Sequence, residues 1–145
     1  MRLMSMSIQG QFRRNAVAII SLVIALSGLA YNTWRNELTE ENRNVRQSGF
    51  ELLVRLADFQ RVVFLAHYDG DHQEANPRIG WAHVIAMKDF AEMMGPEVAV
   101  RADHLRDVWQ ARWTELGKQD KAEAELDQAM NALRSEIRLQ LESLQ

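Results

Sequence analysis

From Asn15 to Trp34 the chain runs twenty residues without a charged side chain, with Arg13 and Arg14 before the run and Arg35 after it. Ala16 through Tyr31 is apolar except for Ser21, Ser27 and Gly28. As a helix rising about 1.5 Å per residue, this stretch covers roughly 30 Å, the hydrocarbon thickness of a bilayer. It reads as a membrane anchor, with residues 12–34 spanning the lipid and residues 1–11, which show no hydrophobic period, as a cytoplasmic tail. Three arginines and no acid precede the run, whereas Arg35 and Arg43 are interspersed with Glu37, Glu40 and Glu41 after it. The arginine-only side is the one retained in the cytoplasm, so residues 35–145 are expected in the periplasm of a single-pass inner-membrane protein. Tyr31 and Trp34 suit the outer headgroup layer, and Phe12 the inner one. A cleaved signal peptide is the alternative: Arg13 and Arg14 would be its basic region, and Gly28-Leu29-Ala30 offers small residues for a peptidase. Against it, the uncharged run continues past Ala30 to Trp34 with no turn-forming residue before the polar segment.

Composition narrows what the rest can be. Removing Arg2, Arg13 and Arg14 from the 17 basic residues leaves 14 against 20 acids, a balance of −6 that argues against a nucleic-acid partner. There is no cysteine, which excludes disulfides and thiolate metal sites. Two prolines and seven glycines are few, and Ala, Leu, Glu, Arg and Gln are plentiful. The expected class is all-α, a transmembrane helix continuing into an up-down-up-down four-helix bundle.

The periodicity divides the chain accordingly. Nothing obliges the anchor helix to stop before Tyr68, so a rod through 35–68 is expected. In its first part, Arg35 to Gln47, only Leu38 and Val45 are apolar. Beyond that, Val45, Gly49, Leu52, Leu56, Phe59, Val63 and Ala66 alternate four and three apart, and Phe50, Leu53, Val54, Val62, Phe64 and Leu65 widen the apolar surface to two sides. Such a helix needs cover on two sides, from its own bundle or from a second copy. The stretch His67 to His72 carries turn chemistry, and Asn76-Pro77 is an N-cap followed by proline at the first helical position. A second helix over 77–94 is very apolar and is expected to be the most enclosed element. Gly95-Pro96 ends it and opens a third over 96–116, with Val98, Ala102, Leu105, Trp109, Trp113 and Leu116 on one face. Gly117 suits a left-handed position after that helix, and Asp120 with Glu123 has capping-box spacing at the start of a fourth over 120–144. An unbroken helix from Pro96 onward would span about 74 Å and overshoot the rod's roughly 51 Å; divided at Gly117, the pieces match.

Few residues promise chemistry. His67, Asp69, Asp71 and His72, with Glu74 close by, place imidazoles and carboxylates on one turn, a donor set suited to a transition metal, although the spacing matches neither HExxH nor a calcium loop. The bland reading is ordinary turn chemistry. His83 lies among apolar neighbours, as a packed histidine would, and His104 beside Asp103 and Asp107 reads as a surface residue. Trp81, Trp109 and Trp113 read as core rather than a ligand cage. No nucleophile elbow or phosphate-cradling glycine loop occurs, so neither enzyme activity nor a cofactor is expected. The segment from Arg35 to Gln47 is polar all round, either a solvated stalk or a docking face whose contact residues would be Arg35, Asn36, Glu40, Asn42, Arg43 and Arg46.

At Tyr31-Asn32-Thr33-Trp34-Arg35-Asn36-Glu37, and on through Asn42-Arg43-Asn44 to His67-Tyr68-Asp69, the chain resembles a group of uncharacterised small bacterial inner-membrane proteins with one N-terminal anchor. The resemblance covers most of the chain and implies location without an activity. In architecture alone it is similar to chemoreceptor ligand-binding domains, which implies a small-ligand or metal sensor module as an alternative. Chemoreceptors continue into a second membrane helix and a signalling part, neither of which appears before Gln145, so a transducer acting alone is not expected. The leading expectation is a non-enzymatic protein whose partners are the lipid bilayer and either a second copy or another membrane protein.

Overall fold

The computed structural model describes residues 8–70 and 73–144. All regular structure among them is helical, with no strand: α1 (Ile8–Phe64), a π-helical turn (Leu65–Asp69), α2 (Pro77–Met94), α3 (Pro96–Arg112), a short 3-10 turn (Trp113–Glu115) and α4 (Asp120–Ser143). The chain forms two compact units, Met1–Glu41 and Asn42–Gln145.

The first unit contributes the one helical stretch, among the described residues, that is long and apolar enough to cross a membrane. Its apolar side chains are turned outward, with Val17 76 %, Ile24 66 % and Leu29 64 % exposed. Tyr31 and Trp34 pack ring to ring, 6.2 Å apart.

The second unit has an ordinary hydrophobic core. Leu52, Leu56, Phe59 and Val63 of α1, Val84, Met87 and Ala91 of α2, Val98, Ala102, Leu105 and Trp109 of α3, and Leu126, Met130, Leu133 and Ile137 of α4 are buried together. On each helix these positions recur three or four residues apart, the spacing that places a stripe on one face. Helix α3 packs on both α2 and α4. At one end of the unit Gly49 lies against Leu141 and Met94. At the other, Gly117 lies against the backbone of Ala66 and His67.

Caps and turns set the helix limits. Asn76 is extended and its Oδ1 accepts from Arg78 N–H at 2.9 Å, with Pro77 following where no N–H is needed. Gly70 and Gly117 take left-handed conformations, with φ of 59° and 74°.

Three expectations need correction. Asp120 is not an N-cap: α4 starts at Asp120 itself, Gln119 is the capping residue without a side-chain bond, and the Asp120 carboxylate lies 3.4 Å from His67 Nε2 instead. The third helix loses its α-helical winding after Arg112 and tightens into the 3-10 turn, because Leu116 must turn extended (ψ 139°) for Gly117 to reverse the chain. The second helix is not the most enclosed element, since Ile85 (56 %) and Met93 (64 %) face outward while Val84, Met87 and Ala91 face the core. Its apolar residues are too many for the single stripe that its neighbours cover.

Trp109 packs closely on Gly80 in the core. A Cβ built on Gly80 would stand 2.3 Å from the Trp109 ring, whereas one on Gly49 would meet only side-chain ends, at 2.9 Å. Gly80→Ala therefore overpacks a rigid indole and is expected to cost about 1–3 kcal/mol of stability. Gly49→Ala, whose neighbours Met94 and Leu141 are flexible, should cost clearly less, as urea unfolding of the two variants would show.

Candidate functional sites

The residues expected to hold a metal begin where α1 ends. Helix α1 does not break at His67; it widens into the π turn and stops at Gly70, whose N–H bonds Leu65 O at 3.0 Å. His67, carried on that turn, is drawn inward and its side chain is only 7 % exposed. Its Nδ1 accepts from Gly117 N–H at 3.2 Å, which leaves Nε2 as the protonated nitrogen of the neutral ring, facing Asp120. His67 thus ties the end of α1 to the turn between α3 and α4. Asp69 is exposed. Asp71 and His72, the other two candidate ligands, lie outside the described residues. Among the described residues no three His, Asp or Glu side chains are grouped to hold a metal ion.

A shallow pocket of about 300 Å³ opens nearby, lined by Asp58, Arg61, Val62, Leu65, Glu74, Ile79 and His83. Two of its lining charges pair directly, Arg61 Nη2 with Glu74 Oε2 at 2.5 Å. His83 sits half-buried in this wall. Burial holds its imidazole below the ordinary value of 6.5, an effect opposed by Asp58 and reinforced by Arg55. His104 is exposed on α3. Trp109 is buried and stands edge-on to Phe59 with centroids 5.1 Å apart, while Trp81 and Trp113 pack partly buried on the core. The indole Nε1 of Trp109 is buried without a hydrogen-bond partner.

The docking candidates fall in both units. Arg35, Asn36 and Glu40 of the first unit are exposed, and the Arg35 carbonyl accepts from Thr39 Oγ1 at 2.8 Å. In the second unit Asn42 is half-buried, Arg43 is exposed, and Arg46 donates to the Leu144 carbonyl near the end of α4. Beside them a groove of about 450 Å³ runs between Asn44, Gln47, Ser48 and Glu51 of α1 and Phe90 and Met93 of α2. Ser48 is buried there and its hydroxyl reaches Met93 Sδ at 3.5 Å. This groove was not foreseen from the sequence, although the exposed Met93 opposite a run of amide side chains is its visible signal.

A second feature missed in the sequence is the clamp between α3 and α4. Arg112 Nε donates to Glu125 Oε2 at 2.6 Å, its Nη2 to Oε1 at 3.3 Å, and its Nη1 to Glu115 at 3.0 Å. The Arg112 hydrogen bond holds the Glu125 carboxyl below the usual carboxylate range. The Arg112–Glu125 pair joins residues thirteen apart across a turn, a proximity that helical spacing alone does not reveal, whereas Arg112–Glu115 is an ordinary i,i+3 pair.

No protein-family model matches the chain, and no curated protein and no solved structure is significantly similar to it.

His83 makes the bundle's stability depend on pH. Its folded value lies below the unfolded 6.5, so the unfolded chain binds the extra proton first and stability falls as pH drops below about 6.5. His83→Gln should flatten the decline in urea midpoint between about pH 7.5 and about pH 5.5. The separate decline below about pH 4.5, to which Glu125 contributes, should persist in that variant.

Proposed function

We propose that this is a non-enzymatic single-pass membrane protein. Residues 12–34 cross the cytoplasmic membrane with the N-terminus inside, and residues 35–145 carry an up-down-up-down helical bundle in the periplasm that docks on or scaffolds an envelope assembly. The observation that carries the reading is the contrast in burial. Val17, Ile24 and Leu29 point outward with no covering neighbour among the described residues, while Leu52, Leu56 and Phe59 are 0 % exposed. Water penalises the first arrangement and lipid favours it, because the helix satisfies its own backbone and offers the bilayer only apolar side chains. Orientation rests on the arginines before the run and the acids after it. The up-and-down path is supported by the contacts at the two ends of the bundle, Gly49 with Met94 and Leu141 at one and His67 with Gly117 at the other.

Docking rather than chemistry is supported by the shape of the surface. The groove between α1 and α2 is lined by Phe90 and Met93 together with Asn44, Gln47, Ser48 and Glu51, and Arg43 and Arg46 flank Asn44 in the sequence. Apolar side chains bordered by polar ones are the anatomy of protein interfaces.

Fusion reporters placed after Gln145 in bacterial cells test the reading. Alkaline phosphatase, which needs the periplasm, is expected to be active and a green fluorescent protein at the same site dark, with the chain staying in the membrane pellet after carbonate extraction. The opposite reporter pattern, or release into the soluble fraction, would overturn it.

A further inference from the structure

Helix α1 of the second unit has a second apolar face that none of the described residues covers. Phe50 (59 % exposed), Val54 (55 %) and Phe64 (54 %) point away from the bundle core, with exposed Ala57 and Arg61 between them. Successive members are four, three, four and three residues apart, the repeat by which two helices seat side chains into each other's gaps. Tyr68, its ring tilted 42° against that of Phe64 with centroids 4.8 Å apart, closes the far end of the patch.

We propose that this face pairs with the same face of a second copy of the chain, as a parallel, in-register two-helix seam. Phe50, Ala57 and Phe64 take the d positions of the repeat, and Val54 and Arg61 the a positions. The proposal rests on the membrane reading above: copies anchored in one membrane stand parallel and at one height, so like residues meet across a two-fold axis. Charge argues for the same occupant. In a parallel pair each g residue faces the e residue five places further along the partner, and here Arg46 would meet Glu51, Leu53 would meet Asp58, and Gln60 would meet Leu65. One of these flanking contacts is attractive and none is repulsive, so the like-charge approach on the face is that of Arg61 to its own copy. A charged residue at a single a position is tolerated in such a seam and fixes its register at a cost in stability. Arg61 brings its own neutralising partner, Glu74 at 2.5 Å. Size explains why the seam needs the membrane. Two half-exposed phenylalanines offer about 100 Å² each, far short of the roughly 800 Å² per partner in a standard stable interface. Confinement in a bilayer supplies the missing effective concentration.

Because the natural chain has no cysteine, single cysteines report contacts cleanly. Full-length Phe50→Cys, Ala57→Cys and Phe64→Cys chains in membrane vesicles are expected to form disulfide-linked dimers on mild oxidation. Val100→Cys and Leu139→Cys, also exposed apolar positions but on α3 and α4, should stay monomeric. In the Ala57→Cys background, Glu51→Arg should lower dimer yield by about threefold or more, and adding Arg46→Glu should restore it. Three results overturn the proposal: crosslinking equal at all five positions, crosslinking at none, or dimers only between Phe50→Cys and Phe64→Cys chains mixed together, which marks an antiparallel pair. Carbonate extraction of the same vesicles separates the two readings. A chain retained in the pellet without seam crosslinks removes the seam alone, and a chain that is extracted removes the anchor.

Discussion

The bundle depends on the seating of one side chain. Trp109 of α3 meets Phe59 of α1 edge to face and lies directly on Gly80 of α2, so three helices share a single indole. Such a ring excludes more water than any aliphatic residue, and the edge-to-face pair adds roughly 0.5–1.5 kcal/mol beyond its area. The arrangement also has a cost, because the indole N–H is buried without an acceptor. With no cysteine to cross-link the chain, this packing and the aliphatic stripes around it hold the unit together. Gly80 is therefore a space requirement, even though it sits in the first turn of α2 with ordinary helical winding, where glycine has no conformational advantage.

Around that centre the ends of the unit are tied by polar contacts rather than by more core. Arg112 grips Glu125 and Glu115 at the turn between α3 and α4, His67 accepts from Gly117 beside it, and Arg46 reaches the Leu144 carbonyl at the other end. This is where hydrogen bonds to charged groups fix a geometry that non-directional burial leaves loose.

What was legible in the sequence follows from which interactions are local. The all-helical class could be read from spacing, and the caps at Asn76-Pro77 and Gly95-Pro96 from the chemistry of two residues each, because a helix end is decided within one turn. Asp120 shows the limit: a capping-box spacing was present, yet a histidine more than fifty positions away lies beside the carboxylate. The same holds for Ile85 and Met93, whose hydrophobicity was plain while the number of covering neighbours was not. At the candidate sites, the sequence marked His67 and Asp69 by type. It did not show that the imidazole of His67 is turned inward, nor that the groove beside Glu51 exists, since both depend on which helix lies alongside.

The π-helical turn at Leu65–Asp69 also limits how far anything can follow α1. Closing hydrogen bonds five residues back instead of four takes up one extra residue, and every side chain beyond it is rotated by roughly 100° from the place a regular helix would have given it. The outward row from Phe50 therefore loses its line after Phe64. A helix laid along that row would be measured off at this point, with its length set by a change of winding rather than by a stop in the sequence.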